Sequence, residues 1–163
     1  MRARTRRTAA IALVALAVPA AAAGGYAVAA GQPVREDLGA AKDPAGAQGR
    51  TLGLTRVTIP AGVSLAPHTH PGVQVSRIVR GTLTYTVDRR GSVPVYRGDA
   101  ASARRLRTLH PGQTARLRAG DWIVEPQGMV HHAANQGTSR VVILLSSLYR
   151  TGAPASSPAT VER

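Results

Sequence analysis

Hydrophobic and polar residues alternate with a period of two through most of the chain's middle. Leu83, Tyr85 and Val87 interleave with Thr82, Thr84, Thr86 and Asp88, the mark of a strand with one buried and one wet face. Ala115 and Leu117 alternate with Arg116 and Arg118 in the same way. Leu52 and Leu54, then Val57 and Ile59, keep the period but change phase between the pairs, as a β-bulge in this strand would explain. Gln74–Val79, Trp122–Glu125 and Val141–Leu145 read as further strands. Pro60, Pro71, Gly72, Gly81, Gly91, Gly112, Gly120 and Gly128 punctuate these runs at turn spacing. The one helical candidate is a turn or two around Ala100–Leu106. Many short strands between Gly/Pro turns predict an all-β antiparallel sandwich or barrel rather than a layered α/β domain.

The flanks lack this pattern. Residues 31–50 are rich in Gly, Ala, Pro and charge and read as a flexible linker, with the folded domain at 51–149 and a Pro/Ser/Ala-rich disordered tail at 150–163. Residues 1–30 read as a signal peptide: Arg2, Arg4, Arg6 and Arg7, an uncharged apolar run from Ala9 to Val18, then Ala20–Ala23 before Gly24. The alternative is an N-terminal anchor, because Thr8–Ala30 carries no charge. A secreted or cell-envelope protein is expected either way.

Composition narrows the chemistry. With 163 residues there is room for one domain, and with no cysteine there are no disulfides, thiolate metal sites or cysteine nucleophiles. Phenylalanine is absent and aromatics make up 3%, so the core is aliphatic and platforms for stacking bases are few. The net charge is +13; residues 1–30 hold four arginines and no acid, so without them it is +9. The remaining arginines are scattered, which argues against nucleic acid as a partner and leaves contact with anionic cell-wall polymers or a membrane surface as the expectation.

The histidines carry the candidate chemistry. His68 and His70 stand two apart, so on an extended strand both side chains leave by the same face. Gln74 follows the Pro71-Gly72 turn, and His131 and His132 come just after Pro126-Gln127-Gly128. Several imidazoles converging with an oxygen donor would suit a divalent transition metal (Mn, Fe, Ni, Co, Cu or Zn). Glu125 sits beside the second segment, where it would face either the pocket or solvent, and Tyr85 reads as ordinary core.

The spacing Gly62-x5-His68-x-His70-x3-Gln74-x6-Gly81 resembles the first motif of the cupin superfamily, with Gln where the family usually places Glu. Gly120-x5-Pro126-x-Gly128-x2-His131-x3-Asn135 resembles the second motif at every anchor. The resemblance implies a single jelly-roll β-barrel holding one metal on His68, His70, Gln74 and His131, with His132 turned away along its strand. It also implies pairing into a homodimer. Catalytic residues are not assigned by it. Two functions follow from the resemblance: a metal-dependent oxygenase of a small enolic, phenolic or carboxylate compound, and a noncatalytic module binding a metal and a small anion at the cell envelope. Gln74 in place of Glu leaves the metal's charge uncompensated, so an anionic small-molecule ligand is expected.

Overall fold

The computed structural model describes residues 31–161 and contains no helix among them. Two antiparallel sheets face each other. The first runs in the order β1 (Val34–Lys42), β2 (Arg50–Ile59), β11 (Val141–Arg150), β4 (Gly72–Arg80), β9 (Asp121–Glu125), β6 (Val93–Arg97), β7 (Arg104–Leu109). The second runs β12 (Ser157–Pro158), β3 (Ser64–Thr69), β10 (Val130–Ala134), β5 (Thr82–Arg89), β8 (Thr114–Arg118). This is the all-β barrel that the alternation predicts. Between the sheets, Ile59, Ile78, Leu83, Val87, Leu117, Ile123, Ile143 and Leu145 form one aliphatic core. Burial of such side chains contributes roughly 1.5–3 kcal/mol each, enough to dispense with phenylalanine.

The segments at both ends of the domain depart from expectation. Residues 34–42 are a strand rather than a linker: β1 pairs with β2 from Val34↔Thr58 to Lys42↔Thr51. Every residue of β1 is exposed, so backbone pairing holds it and no apolar period marks it. At its end Asp43, with φ of 50°, accepts the Gly49 amide on Oδ1 and closes a compact turn. The tail, too, is ordered over its described part. Thr151 donates its amide to Gly49, and β12 pairs Ser157 with Thr69 and Pro158 with His68.

Two local expectations also change. The bulge lies in β1, between Asp37 and Gly39, not in β2. Leu52 and Leu54 simply face outward, 45% and 46% exposed, while Thr55 takes the inward position. Around Ala100, Asp99 Oδ1 accepts the amides of Ala101 and Ser102 in a tight turn that leads into β7, so no helix forms. Gly72 is needed for close approach: a Cβ there would lie 2.1 Å from the Leu148 carbonyl oxygen on β11. It opens β4, two residues after His70.

Candidate metal centre

The register of the second sheet brings two sequence-distant histidines together. On β3 and β10, His68 and His131 are paired neighbours, and His70 follows one residue past the end of β3. The three rings gather with centroid separations of 5.0 Å (His68–His70), 4.3 Å (His68–His131) and 5.1 Å (His70–His131). One donor atom from each lies within 4.8 Å of the others.

What turns the rings into a donor set is the backbone behind them. His68 Nδ1 donates to the Ala66 carbonyl at 2.8 Å, His70 Nδ1 to Ala155 at 2.7 Å, and His131 Nδ1 to Met129 at 3.4 Å. A carbonyl oxygen can only accept, so each Nδ1 carries a proton, and the lone pair of the neutral ring falls on Nε2. This carbonyl support is how metal-binding histidines are usually oriented. The ligand supports come from β3, from the turn before β10 and from the C-terminal tail. Burial pushes the His131 imidazolium down to about 4, although the Glu125 carboxylate pulls the other way. Burial likewise lowers His70. At neutral pH both rings are therefore neutral and available as ligands, and the donor set fits a divalent transition metal.

On the facing sheet, Gln74 of β4 and Glu125 of β9 are cross-strand partners whose side chains enter the same cavity. Glu125 is 3% exposed. Its Oε2 accepts from Ser76 Oγ at 2.6 Å and from Gln74 Nε2. Its Oε1 lies 3.3 Å from His131 Nε2. Burial opposes ionisation of Glu125, but the charge of His131 and His70 where those rings are protonated, together with the Ser76 hydroxyl, outweighs it and holds the carboxyl below its ordinary value. The carboxamide oxygen of Gln74 accepts from the Tyr149 hydroxyl, and the Tyr149 ring stacks on His70 at 5.6 Å.

Tyr85 is more than core. It is 2% exposed, stacks on His131 at 5.3 Å and lines the cavity, and its hydroxyl has no hydrogen-bond partner of ordinary geometry. Burial and the nearby Glu125 charge push its phenol well above the usual range, so it stays a donor. The cavity itself measures about 450 Å³. Its inner wall is aliphatic, including Ile78, Leu83 and Leu145, and its outer part is lined by Arg35 of β1 and Ser156 of the tail. Both flanking segments thus contribute to the site. Arg35 Nη2 also donates to Thr55 Oγ1 at 3.1 Å, which fixes the guanidinium at the cavity wall.

The structure gathers His68, His70 and His131 and places Gln74 beside them with both ends of its amide hydrogen-bonded. His132 points away, its Nδ1 at 2.8 Å from Asp88 Oδ2, and His110 is exposed elsewhere. Asn135 anchors the loop after β10, donating to the carbonyls of Ile59, Pro60 and Ser139. Glu125, Tyr85, Tyr149 and Arg35 were not legible as site residues. Only Glu125 carried a signal, its place between a strand and the Pro126 turn.

Comparison with known proteins gives the same answer for the fold. The family described as cupin matches residues 38–158. Among solved structures, the chain resembles a conserved protein with a double-stranded β-helix domain from Klebsiella pneumoniae, at 21% identity over 80% of this chain and 86% of that one, with a TM-score of 0.52. A cupin superfamily protein from Desulfitobacterium hafniense is similar at 17% identity over 72% and 78% of the two chains, with a TM-score of 0.48. KdgF from Halomonas is similar at 21% identity over 73% and 81%, with a TM-score of 0.48. No curated protein matches the sequence significantly. With the match spanning both motifs and most of the two sheets, the chain belongs to the cupin family.

Proposed function

We propose that this cupin is an exported, mononuclear metal-dependent enzyme of the oxygenase type, acting on a small enolic, phenolic or carboxylate compound. One observation carries the reading: three carbonyl-locked imidazoles present their Nε2 atoms to a common point in an open cavity of about 450 Å³. A purely structural metal site is closed by its ligands, whereas a working one keeps room for substrate. His68, His70 and His131 would hold the ion, which supplies Lewis acidity toward a substrate oxygen and, if redox-active, an entry for dioxygen.

The chain's own residues support a small anion as substrate. Arg35, held by Thr55 and 3.5 Å from Asp37 Oδ1, sets a guanidinium at the cavity wall, and the Tyr85 hydroxyl, with no partner of ordinary geometry, offers a hydrogen bond to a substrate oxygen. Aliphatic walls line the inner end and strengthen the interaction with the buried Tyr85 hydroxyl. Noncatalytic binding of a metal and a small anion would use the same donors and differs only in turnover.

Elemental analysis of the purified chain should give one equivalent of a divalent transition metal, lost in His131→Ala. Oxygen uptake with a panel of phenols and organic acids should then rise above background for at least one compound. Metal with saturable anion binding but no turnover refutes the oxygenase and leaves the binding module. No metal in wild type or after reconstitution refutes both. Export rests on residues 1–30, outside those described, and is tested by the N-terminal mass of the protein recovered from envelope and medium.

A further inference from the structure

We propose that Glu125, not Gln74, supplies the oxygen donor of the metal centre, so that the carboxylate of the site comes from β9 rather than from the first motif. The inference rests on the metal-centre reading above.

Gln74 is already engaged at both ends. Its carboxamide oxygen accepts from the Tyr149 hydroxyl, and its NH2 group donates to Glu125 Oε2. The amide orientation follows from its partners, because a carboxylate can only accept and so must face the NH2. Ser76 Oγ also donates to Oε2, at 2.6 Å. Gln74 and Ser76 therefore act as a clamp. They saturate one carboxylate oxygen of Glu125 and leave the other, Oε1, aimed at the histidines.

Oε1 lies 3.3 Å from His131 Nε2. His131 Nδ1 donates to the Met129 carbonyl, so Nε2 is the ring atom left to face Oε1. Inside a buried cavity this close approach is favourable when a proton or a metal cation is shared between Oε1 and Nε2. The separation is also that of two donors on one ion: with bonds of about 2.1 Å subtending roughly 90–110°, the donor atoms stand about 3.0–3.4 Å apart.

The register explains how the carboxylate can move without leaving the site. Gln74 and Glu125 are directly paired on adjacent antiparallel strands, where opposite side chains share one face about 4.5–5.5 Å apart at Cβ. A carboxylate at either position therefore faces the same cavity. With Glu125 in place the site has three neutral imidazoles and one negative donor, so the charge deficit expected from Gln74 disappears.

Cobalt(II) titration of the full chain tests this through affinity and through the visible ligand-field spectrum, which reports the inner coordination shell independently of activity. Glu125→Gln should fold normally, weaken cobalt binding at least tenfold and change the spectrum. The exchange variant Glu125→Gln with Gln74→Glu should recover affinity to within about threefold, since the carboxylate returns from the paired position. Unchanged affinity and spectrum in Glu125→Gln, with wild type binding and His131→Ala not binding, overturns this inference alone. So does weaker binding with an unaltered spectrum, because Glu125 would then act by charge from outside the shell. Absence of binding in wild type removes the metal-centre reading itself.

Discussion

Deleting residues 153–163 tests whether the C-terminal tail is part of the metal centre. The tail contributes the Ala155 carbonyl that accepts His70 Nδ1 at 2.7 Å, the two pairs of β12 with β3, and the Ala159 amide bonded to Pro67 at 3.0 Å. Without it, His70 loses the partner that fixes its ring orientation and tautomer. Loss of such an outer partner lowers metal affinity by about 10–100-fold, or roughly 1.4–2.7 kcal/mol. The cost to the fold should be smaller in proportion, because the tail adds nothing to the aliphatic core. A few part-solvated hydrogen bonds amount to about 1–3 kcal/mol. The assay is competition with a chromophoric chelator for cobalt, with thermal unfolding of the metal-free protein alongside. A shorter deletion, residues 160–163, keeps Ala155, β12 and Ala159 and should bind like the full chain. Equal affinity in the long deletion and the full chain would refute the support assigned to Ala155.

Other consequences can be checked separately. His131, lowered by burial from 6.5 to about 4, binds its proton more readily in the unfolded chain. The metal-free protein should thus hold its full stability above about pH 6.5 and lose up to about 3 kcal/mol as pH falls through 4, read as a falling urea midpoint. A flat midpoint over that interval contradicts the burial of a neutral ring. Asn135→Ala removes the side-chain donor to the Ile59, Pro60 and Ser139 carbonyls, of which Pro60 keeps the Val63 amide, and should cost about 1–3 kcal/mol in denaturant unfolding; a loss under about 1 kcal/mol would mean the loop is held by other bonds. Across the outer face, Leu52, Leu148 and Val73 lie in one row and Leu54, Ser146 and Val75 in the next, with Leu52, Leu54, Val73 and Val75 all exposed. A second copy is expected to cover this face, so light scattering should report a dimer for the chain and a monomer for Val75→Glu. A monomeric wild type refutes the pairing.

The interior strands were legible because each buries one face, and burial imposes a period of two that Leu83–Tyr85–Val87 and Ala115–Leu117 display. Strand β1 was not, because all nine of its residues are exposed and its stability comes from a ladder of backbone bonds that any non-proline residue can make. The same holds for β12, two residues long, whose pairing leaves no trace in side-chain chemistry. The phase change at Leu52–Ile59 misled for a related reason. An outward leucine on a sheet face that stays apolar looks like an inward one displaced by a bulge. In the site, the imidazoles announced themselves through residue type and spacing, whereas Tyr85 alternated like core and Arg35 lay in a segment with no pattern at all.

Glu125 illustrates a limit that belongs to sheets. In Trp122-Ile123-Val124-Glu125 each phase of the alternation contains an apolar residue, so the strand's inward face cannot be chosen from its own residues. The choice is made by β4 and β6, which flank β9: Ile123 pairs with Ser76 and Val95, Glu125 pairs with Gln74, and the Trp122 ring stacks on Tyr96 outside at 4.2 Å. Once Trp122 is outside, Glu125 must be inside. A motif read position by position registers Gln74 as the loss of a negative donor. In the folded sheet the neighbouring strand holds a carboxylate at the paired position, and Gln74 hydrogen-bonds it in place. The consequence for substrate choice is physical: with that carboxylate counted, the pull on an anion falls to Arg35 at the cavity wall and to the lone Tyr85 hydroxyl. Arg35→Gln should therefore weaken anion binding while leaving cobalt affinity within about twofold, because an outer guanidinium adds only a screened charge effect at the ion.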